Sequence, residues 1–245
     1  MFRVVEPTVI VGAAAVTVIE RLTEATSGVL SVSVTCTVKL LTPGVVAIIR
    51  ADHSEQLIDA SRALIAGGVS GIEVTMTTPN ALHVIAEVTR EFGKSALVGV
   101  GSVLDEKTAE AAIAAGAQYV VTPVLKPEVI AFCRGAHKPI FSGSYTPTEA
   151  QTCYELGADF VKIFPADGLG PKYISAIRGP LPHLRIVPTG GVDVTTAGEF
   201  IKAGCVAVAA GSTLVSKDIL KNKDWAKLTD LAAQFIAAVA KARGK

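Results

Sequence analysis

From Gly44 onward one unit recurs along the chain. A short β-branched run ends in a polar residue or glycine, a capping residue follows, then an amphipathic stretch, then a glycine, then the next run. The runs are Val45–Arg50, Val69–Thr75, Ala96–Gly101, Gln118–Thr122, Pro139–Ser142, Asp159–Phe164, Leu184–Thr189 and Val206–Gly211, eight in all. This alternation restricts the fold more than any other feature. Strands separated by helices pair in parallel, and the crossovers between them are right-handed.

The helices carry their own start and stop signals. Ser54 is placed to cap a stripe of Leu57, Ser61, Leu64 and Ile65. Pro79 stands at a first helical position, with Leu82, Ile85 and Phe92 following on one face. Thr146-Pro147-Thr148-Glu149 has the spacing of a capping box. Asp105 and Asp193 are further N-caps. Gly67, Gly116, Gly157 and Gly204 close helices just before a strand, where a left-handed residue is favoured.

Eight such units in about 200 residues suit a (β/α)8 TIM barrel near the lower end of its size range. The rival is a doubly wound open sheet. That fold normally places G-x-G-x-x-G after the first strand, and Arg50-Ala51-Asp52-His53 does not resemble it. The expectation is a single barrel domain over residues 44–245, preceded by an extension, 1–43, of uncertain structure. The extension is rich in Thr, Val and Ser, with a helical pattern near Val16–Leu22 and a strand-like alternation over Val29–Val38. Its apolar run Val9–Ile19 loosely resembles a secretory leader. However, Glu6 and Glu20 flank it, and Ala13-Ala14-Ala15 lies inside the run, so a leader is not expected.

Composition then excludes several functions. Half of the 245 residues are hydrophobic, enough for a large core. A net charge of +1 leaves no basic excess for a phosphate backbone, and 5% aromatics offer little for base stacking. No uncharged apolar stretch reaches the roughly 18–20 residues of a membrane span, so neither nucleic acid nor a membrane is an expected partner. Cys36, Cys133, Cys153 and Cys205 form no C-x-x-C pair and read as reduced thiols of a cytoplasmic protein. His53, His83, His137 and His183 are isolated, so no metal is expected.

In a barrel of this type the chemistry gathers at the C-terminal ends of the strands. Those ends read Arg50, Glu73, Gly101-Ser102, Thr122-Pro123, Ser142-Gly143, Lys162, Thr189-Gly190-Gly191 and Gly211-Ser212. Lys162 stands in the apolar run Phe160-Val161-Lys162-Ile163-Phe164. Period-2 alternation puts it opposite Val161 and Ile163, pointing into the barrel. Burying an ammonium ion is costly, and an amine relieved of its proton attacks carbonyls to form a Schiff base. The alternative is a lysine that snorkels to the rim or pairs with Glu73. Glu73, in Ile72-Glu73-Val74-Thr75, suits proton transfer beside such a lysine, or a structural ion pair with Lys162 or Arg50. The glycines after the seventh and eighth runs suit an anion held by backbone N–H groups, or simply tight turns.

Four segments now stand in order: Gly71-Ile72-Glu73-Val74-Thr75, Gly99-Val100-Gly101-Ser102-Val103, Val161-Lys162-Ile163-Phe164-Pro165-Ala166 and Val187-Pro188-Thr189-Gly190-Gly191-Val192. Together, from about Gly44 to Leu220, they resemble the KDPG/KHG aldolases, the class I 2-keto-3-deoxy-6-phosphogluconate and 4-hydroxy-2-oxoglutarate aldolases. The resemblance implies a barrel, commonly a homotrimer, that cleaves a 2-keto-4-hydroxy acid. The products would be pyruvate and glyceraldehyde 3-phosphate, as in the Entner–Doudoroff route of carbohydrate metabolism, or pyruvate and glyoxylate. It implies Lys162 as the Schiff-base lysine and Glu73 as the acid–base group, with no metal or organic cofactor. By the same resemblance Arg50, Ser102, Thr77 and Pro123 would hold the pyruvate end and its carboxylate. Thr189, Gly190, Gly191, Gly211 and Ser212 would hold the phosphate.

The sequence also departs from the family pattern. Thr77 occupies a position where some members carry an arginine carboxylate anchor, which leaves that duty to Arg50. Val100 replaces a common alanine, Val124 stands where glycine or histidine is usual, and Ser142 where proline is usual. All three are expected near the rim, where they bear on substrate choice more than on reaction type. Two other readings stay open: a phosphate-binding barrel isomerase or synthase, which leaves Lys162 without a purpose, and a degenerate, non-catalytic barrel, in which Lys162 and Glu73 need not have persisted.

Overall fold

A computed structural model describes residues 41–51 and 55–244 of the chain. Eight parallel strands follow in sequence: β1 (Val45–Ile49), β2 (Gly71–Thr75), β3 (Leu97–Gly101), β4 (Tyr119–Val121), β5 (Ile140–Ser144), β6 (Phe160–Ile163), β7 (Ile186–Pro188) and β8 (Val208–Ala210). From β1 to β7 each strand pairs with the next, and β8 pairs with β1. A bridge between Thr189 and Ala209, together with the Val206 N–H donating to the Ile186 carbonyl over 3.0 Å, brings β7 and β8 together and closes the cylinder. The expected (β/α)8 barrel is therefore present, with each strand inside or overlapping the run assigned to it.

Between the strands lie α1 (Gln56–Ala66), α2 (Ala81–Phe92), α3 (Glu106–Ala114), α4 (Pro127–Gly135), α5 (Pro147–Glu155), α6 (Gly170–Arg178) and α7 (Val194–Lys202). After β8 come α8 (Lys217–Asn222) and the longer α9 (Trp225–Ala242). Thr146 and Glu149 complete the expected capping box of α5. Asp105 and Asp193 cap α3 and α7 through their carboxylates. These side chains satisfy backbone N–H groups that the first helical turn leaves open.

Three local expectations are corrected. Pro79 precedes α2 rather than opening it, because Asn80, left-handed at φ 54°, is the residue before the first helical turn. The buried stripe of α2 is Ala81, Val84, Ile85 and Val88, and Leu82 faces outward. Gly67 has φ −81°, so the left-handed residue closing α1 is Gly68 at φ 94°. Gly67 serves packing instead: a Cβ there would overlap the Thr229 carbonyl and Ala232 of α9. Gly116, Gly157 and Gly204 are left-handed as expected. The proposed Ser54 cap and the whole of 1–40 lie outside the described residues.

Strand alternation sorts the core into two shells. Outward residues such as Ile72, Val74, Val98, Val161 and Ile163 pack beneath the helices. Inward residues Val46, Leu97, Tyr119, Val121, Phe141, Phe160, Val187, Ala207 and Ala209 fill the barrel. The Phe141 and Phe160 rings stack at 4.3 Å, and Tyr119 tilts against Phe141 at 5.5 Å. This aromatic plug closes the interior to solvent, which sets the conditions at the mouth above it.

Candidate active site

At the C-terminal mouth the inward parity brings up polar residues: Glu73 and Thr75 on β2, Lys162 on β6 and Thr189 just past β7. Lys162 is 6% exposed and Glu73 2%, so both ionisable groups sit inside the barrel. Lys162 Nζ lies 5.0 Å from the centre of the Phe164 ring, within cation–π range. Its partner in register on β5 is Gly143, where a Cβ would overlap the Pro123 carbonyl. The bare position lets the loop after β4 settle beside Lys162. The Gly143 N–H, donating to Thr122 Oγ1 over 3.0 Å, holds that loop in place.

Across the barrel the Glu73 carboxyl lies over Gly101, where any Cβ would overlap it. Burial raises this carboxyl above its ordinary range, and the charges of Lys162 and then Arg50 pull it back. Lys162 and Glu73 thus feel each other electrostatically, yet they make no ion pair with each other. The structural pairing that could have accounted for both residues is missing. What remains is a buried acid and a buried amine across one cavity mouth.

Arg50 and Thr77 fall in a single cluster. The Arg50 Nε donates to Thr75 Oγ1 at 3.4 Å, and Thr75 Oγ1 lies 3.0 Å from Thr77 Oγ1 and 3.4 Å from Thr78 Oγ1. Thr75 and Thr78 were missed in the sequence, although the parity that selects Glu73 also selects Thr75. Ser102, directly after β3, has a left-handed backbone at φ 62°. Such a conformation costs a non-glycine residue on the order of 1–3 kcal/mol and tends to be kept where geometry matters.

The glycine loop stands at the end of β7. Gly190 and Gly191 have φ 96° and 68°, open to glycine without strain. The Ala166 N–H donates to the Thr189 carbonyl at 2.8 Å, packing the loop after β6 against these glycines. A Cβ at Gly191 would overlap Asp167, an exposed acid beside the loop that the sequence reading passed over. The Thr189 hydroxyl points inward and is buried without a partner, while its backbone bridges to Ala209. That bridge sets Gly190 and Gly191 beside Gly211 and the exposed Ser212.

Two residues expected at the rim are elsewhere. Ser142 alternates outward and is fully buried, its hydroxyl accepting from Cys153 Sγ of α5 at 3.2 Å. Val100 likewise belongs to the outer shell beneath the helices. Both were misplaced because nearness to a strand end was weighed above alternation. Val124 does lie at the rim and is exposed. Among the described residues no three His, Cys, Asp or Glu side chains gather where they could hold a metal ion, and no helix is long and apolar enough to cross a membrane.

A closed barrel with an apolar plug below and an inward lysine and glutamate at its C-terminal mouth defines a barrel enzyme equipped for carbonyl chemistry. The family model described as KDPG and KHG aldolase matches residues 36–231. The chain is similar to the 2-dehydro-3-deoxy-phosphogluconate aldolase of Treponema pallidum (strain Nichols), 35% identical over 196 residues that cover 80% of this chain and 93% of that protein. A solved structure described as native KDPGal superimposes with a TM-score of 0.77 at 30% identity, covering 82% of this chain and 96% of that one. The KDPG aldolase of Legionella pneumophila, with pyruvate captured as a covalent carbinolamine, superimposes with a TM-score of 0.73 at 27% identity, covering 78% and 92%. The chain belongs to the KDPG and KHG aldolase family and is an aldolase, a carbon–carbon lyase.

Proposed function

We propose that this aldolase cleaves 2-keto-3-deoxy-6-phosphogluconate to pyruvate and glyceraldehyde 3-phosphate, and 4-hydroxy-2-oxoglutarate to pyruvate and glyoxylate, through an imine on Lys162. The observation that carries the reading is a buried inward lysine facing a buried inward glutamate with no ion pair between them. The Lys162 amine adds to the C2 carbonyl, giving a carbinolamine whose hydroxyl takes a proton from Glu73 and leaves as water, forming an iminium and an ionised Glu73. Glu73 takes the C4 hydroxyl proton. The C3–C4 electron pair moves into the iminium, the aldehyde departs and an enamine remains. Glu73 returns its proton to C3, and water releases pyruvate and restores Lys162. The covalent pyruvate of the Legionella pneumophila relative supports this route.

In the same reading Arg50, with Thr77 joined to it through Thr75, holds the substrate carboxylate, while Ser102 and Pro123 line the pyruvate end. The loop of Thr189, Gly190 and Gly191, with Gly211 and Ser212, holds the phosphate by backbone N–H groups. Residues 44–245 form the catalytic unit and 1–43 an extension to it. A homotrimer follows from the family resemblance. A cytoplasmic location fits Cys133, Cys153 and Cys205, all free and buried.

Incubation with pyruvate and borohydride tests the mechanism. The expected result is a single adduct, mapped to Lys162. No adduct, or an adduct on another lysine, overturns it. Full turnover in EDTA is expected alongside, and a loss restored by a divalent ion would indicate a different aldolase mechanism.

A further inference from the structure

One buried titratable group in the barrel has no part in this mechanism. Tyr119 opens β4 with its ring in the plug, fully buried, and its hydroxyl has no hydrogen-bond partner. Buried hydroxyls are nearly always satisfied, so an orphan calls for an explanation. The inner face of β3 supplies one. Gly99 and Gly101 leave that face bare, and two side chains occupy the space. A Cβ at Gly99 would overlap the Tyr119 ring at Cε2 and at Cζ, the carbon that carries the hydroxyl. A Cβ at Gly101 would overlap the Glu73 carboxyl. Glu73 comes from β2 on one side of β3 and Tyr119 from β4 on the other, and the register sets Glu73, Gly99 and Tyr119 in one row. The two side chains lean toward each other across the same two glycines.

We infer that Tyr119 is a positioning residue for Glu73, its hydroxyl donating a hydrogen bond to the Glu73 carboxylate, directly or across one water, while Glu73 is ionised. The inference rests on the reading of Glu73 as the acid–base group. Burial, and then the charge of Glu73, push the phenol well above its ordinary range, so it remains a donor throughout the cycle. The charged groups acting on Glu73 are Lys162 from β6 and Arg50 from the end of β1. The inward positions of β3, β5 and β8, of β7 and of the residue after it, supply only Leu97, Gly99, Gly101, Phe141, Gly143, Val187, Thr189 and Ala209, none of which titrates. Of the two buried hydroxyls without a partner, Tyr119 and Thr189, Tyr119 is the one that shares the bare face of β3 with the Glu73 carboxyl, where a neutral donor offsets the burial of the carboxylate. Donation to the ionised form lowers the carboxyl's pKa and fixes its direction toward the substrate.

Tyr119→Phe tests this, since it deletes one unpartnered oxygen and keeps the ring that the plug requires. The acidic limb of kcat/KM for cleavage should move up by about half to one pH unit, the equivalent of one hydrogen bond. Turnover below that limb should fall by roughly 3- to 10-fold, with pyruvate trapping on Lys162 retained. In a Glu73→Gln background the same change should have no further effect. An unmoved limb with parental turnover overturns the inference, as do equal losses in both backgrounds. If Glu73→Gln by itself turns over normally, the acid–base reading falls and takes the inference with it. If Glu73→Gln is slow and the Tyr119→Phe limb stays in place, the inference alone falls.

Discussion

The lower and upper halves of the barrel interior are built from the same strands by the same alternation, yet they hold opposite chemistry. Below, Leu97, Phe141, Phe160 and Val187 make a dry plug with rings stacked at 4.3 Å. Above, on the same parity, stand Glu73, Thr75, Lys162 and Thr189, all buried. The comparison shows that the plug is part of the site. By sealing the barrel from below, it keeps water from solvating Lys162 and Glu73. Desolvation then raises the Glu73 carboxyl and prepares it to carry a proton. Position along the strand, rather than strand identity, separates scaffold from chemistry.

The sharpest way to test this contrast is to change one residue in each half. Glu73→Gln, nearly isosteric, should slow cleavage by roughly 10²–10⁴-fold while pyruvate trapping on Lys162 persists. The same variant should reveal the desolvation. A carboxyl raised by folding binds its proton more tightly in the native state. Its contribution to stability is complete below its unfolded value and is lost as pH rises through the folded one. Tm measured across pH should therefore show Glu73→Gln gaining on the parent above the ordinary carboxylate range, and parallel curves would contradict this. In the lower half, Phe160→Ala should cost about 3–5 kcal/mol in urea unfolding, since it empties a stacked, fully buried ring site. A loss under 1 kcal/mol would mean that the plug is not packed tightly enough to seal the mouth.

Smaller effects separate the two sides of the mouth. Ser212 is exposed at the end of β8, and Ser212→Asp adds a repelling charge there without a steric clash. Its kcat/KM for the phosphorylated six-carbon substrate should drop about tenfold, the value of one charge-assisted hydrogen bond, with little change for 4-hydroxy-2-oxoglutarate. Equal losses on both would make the loop architectural. Gly191→Asp is a poorer probe, because its Cβ would strike Asp167. The smallest change is expected away from both halves. Thr146→Ala should remove the α5 cap at a cost of about 1 kcal/mol in unfolding and leave kinetics unaltered.

The sequence by itself determined the strands, their order and which of them bear the chemistry. Alternation is a local property: period 2 turned Lys162 away from Val161 and Ile163 before any contact was known, and the folded chain keeps that parity. Helix caps such as Thr146, Asp105 and Asp193 were legible for the same reason, since each closes a ring with a backbone N–H two or three residues away. Only the tertiary structure decided what depends on neighbouring strands and layers. It showed that Gly67 makes room for α9 rather than turning the chain. It turned Ser142 toward Cys153 and away from the mouth. It joined Arg50 to Thr77 through Thr75. It also brought the Tyr119 ring and the Glu73 carboxyl over two glycines of a strand to which neither belongs. The physical reason is one of range: backbone hydrogen bonds and alternation act within a few residues, whereas the space a side chain enters is set by strands and helices tens of residues away in the sequence.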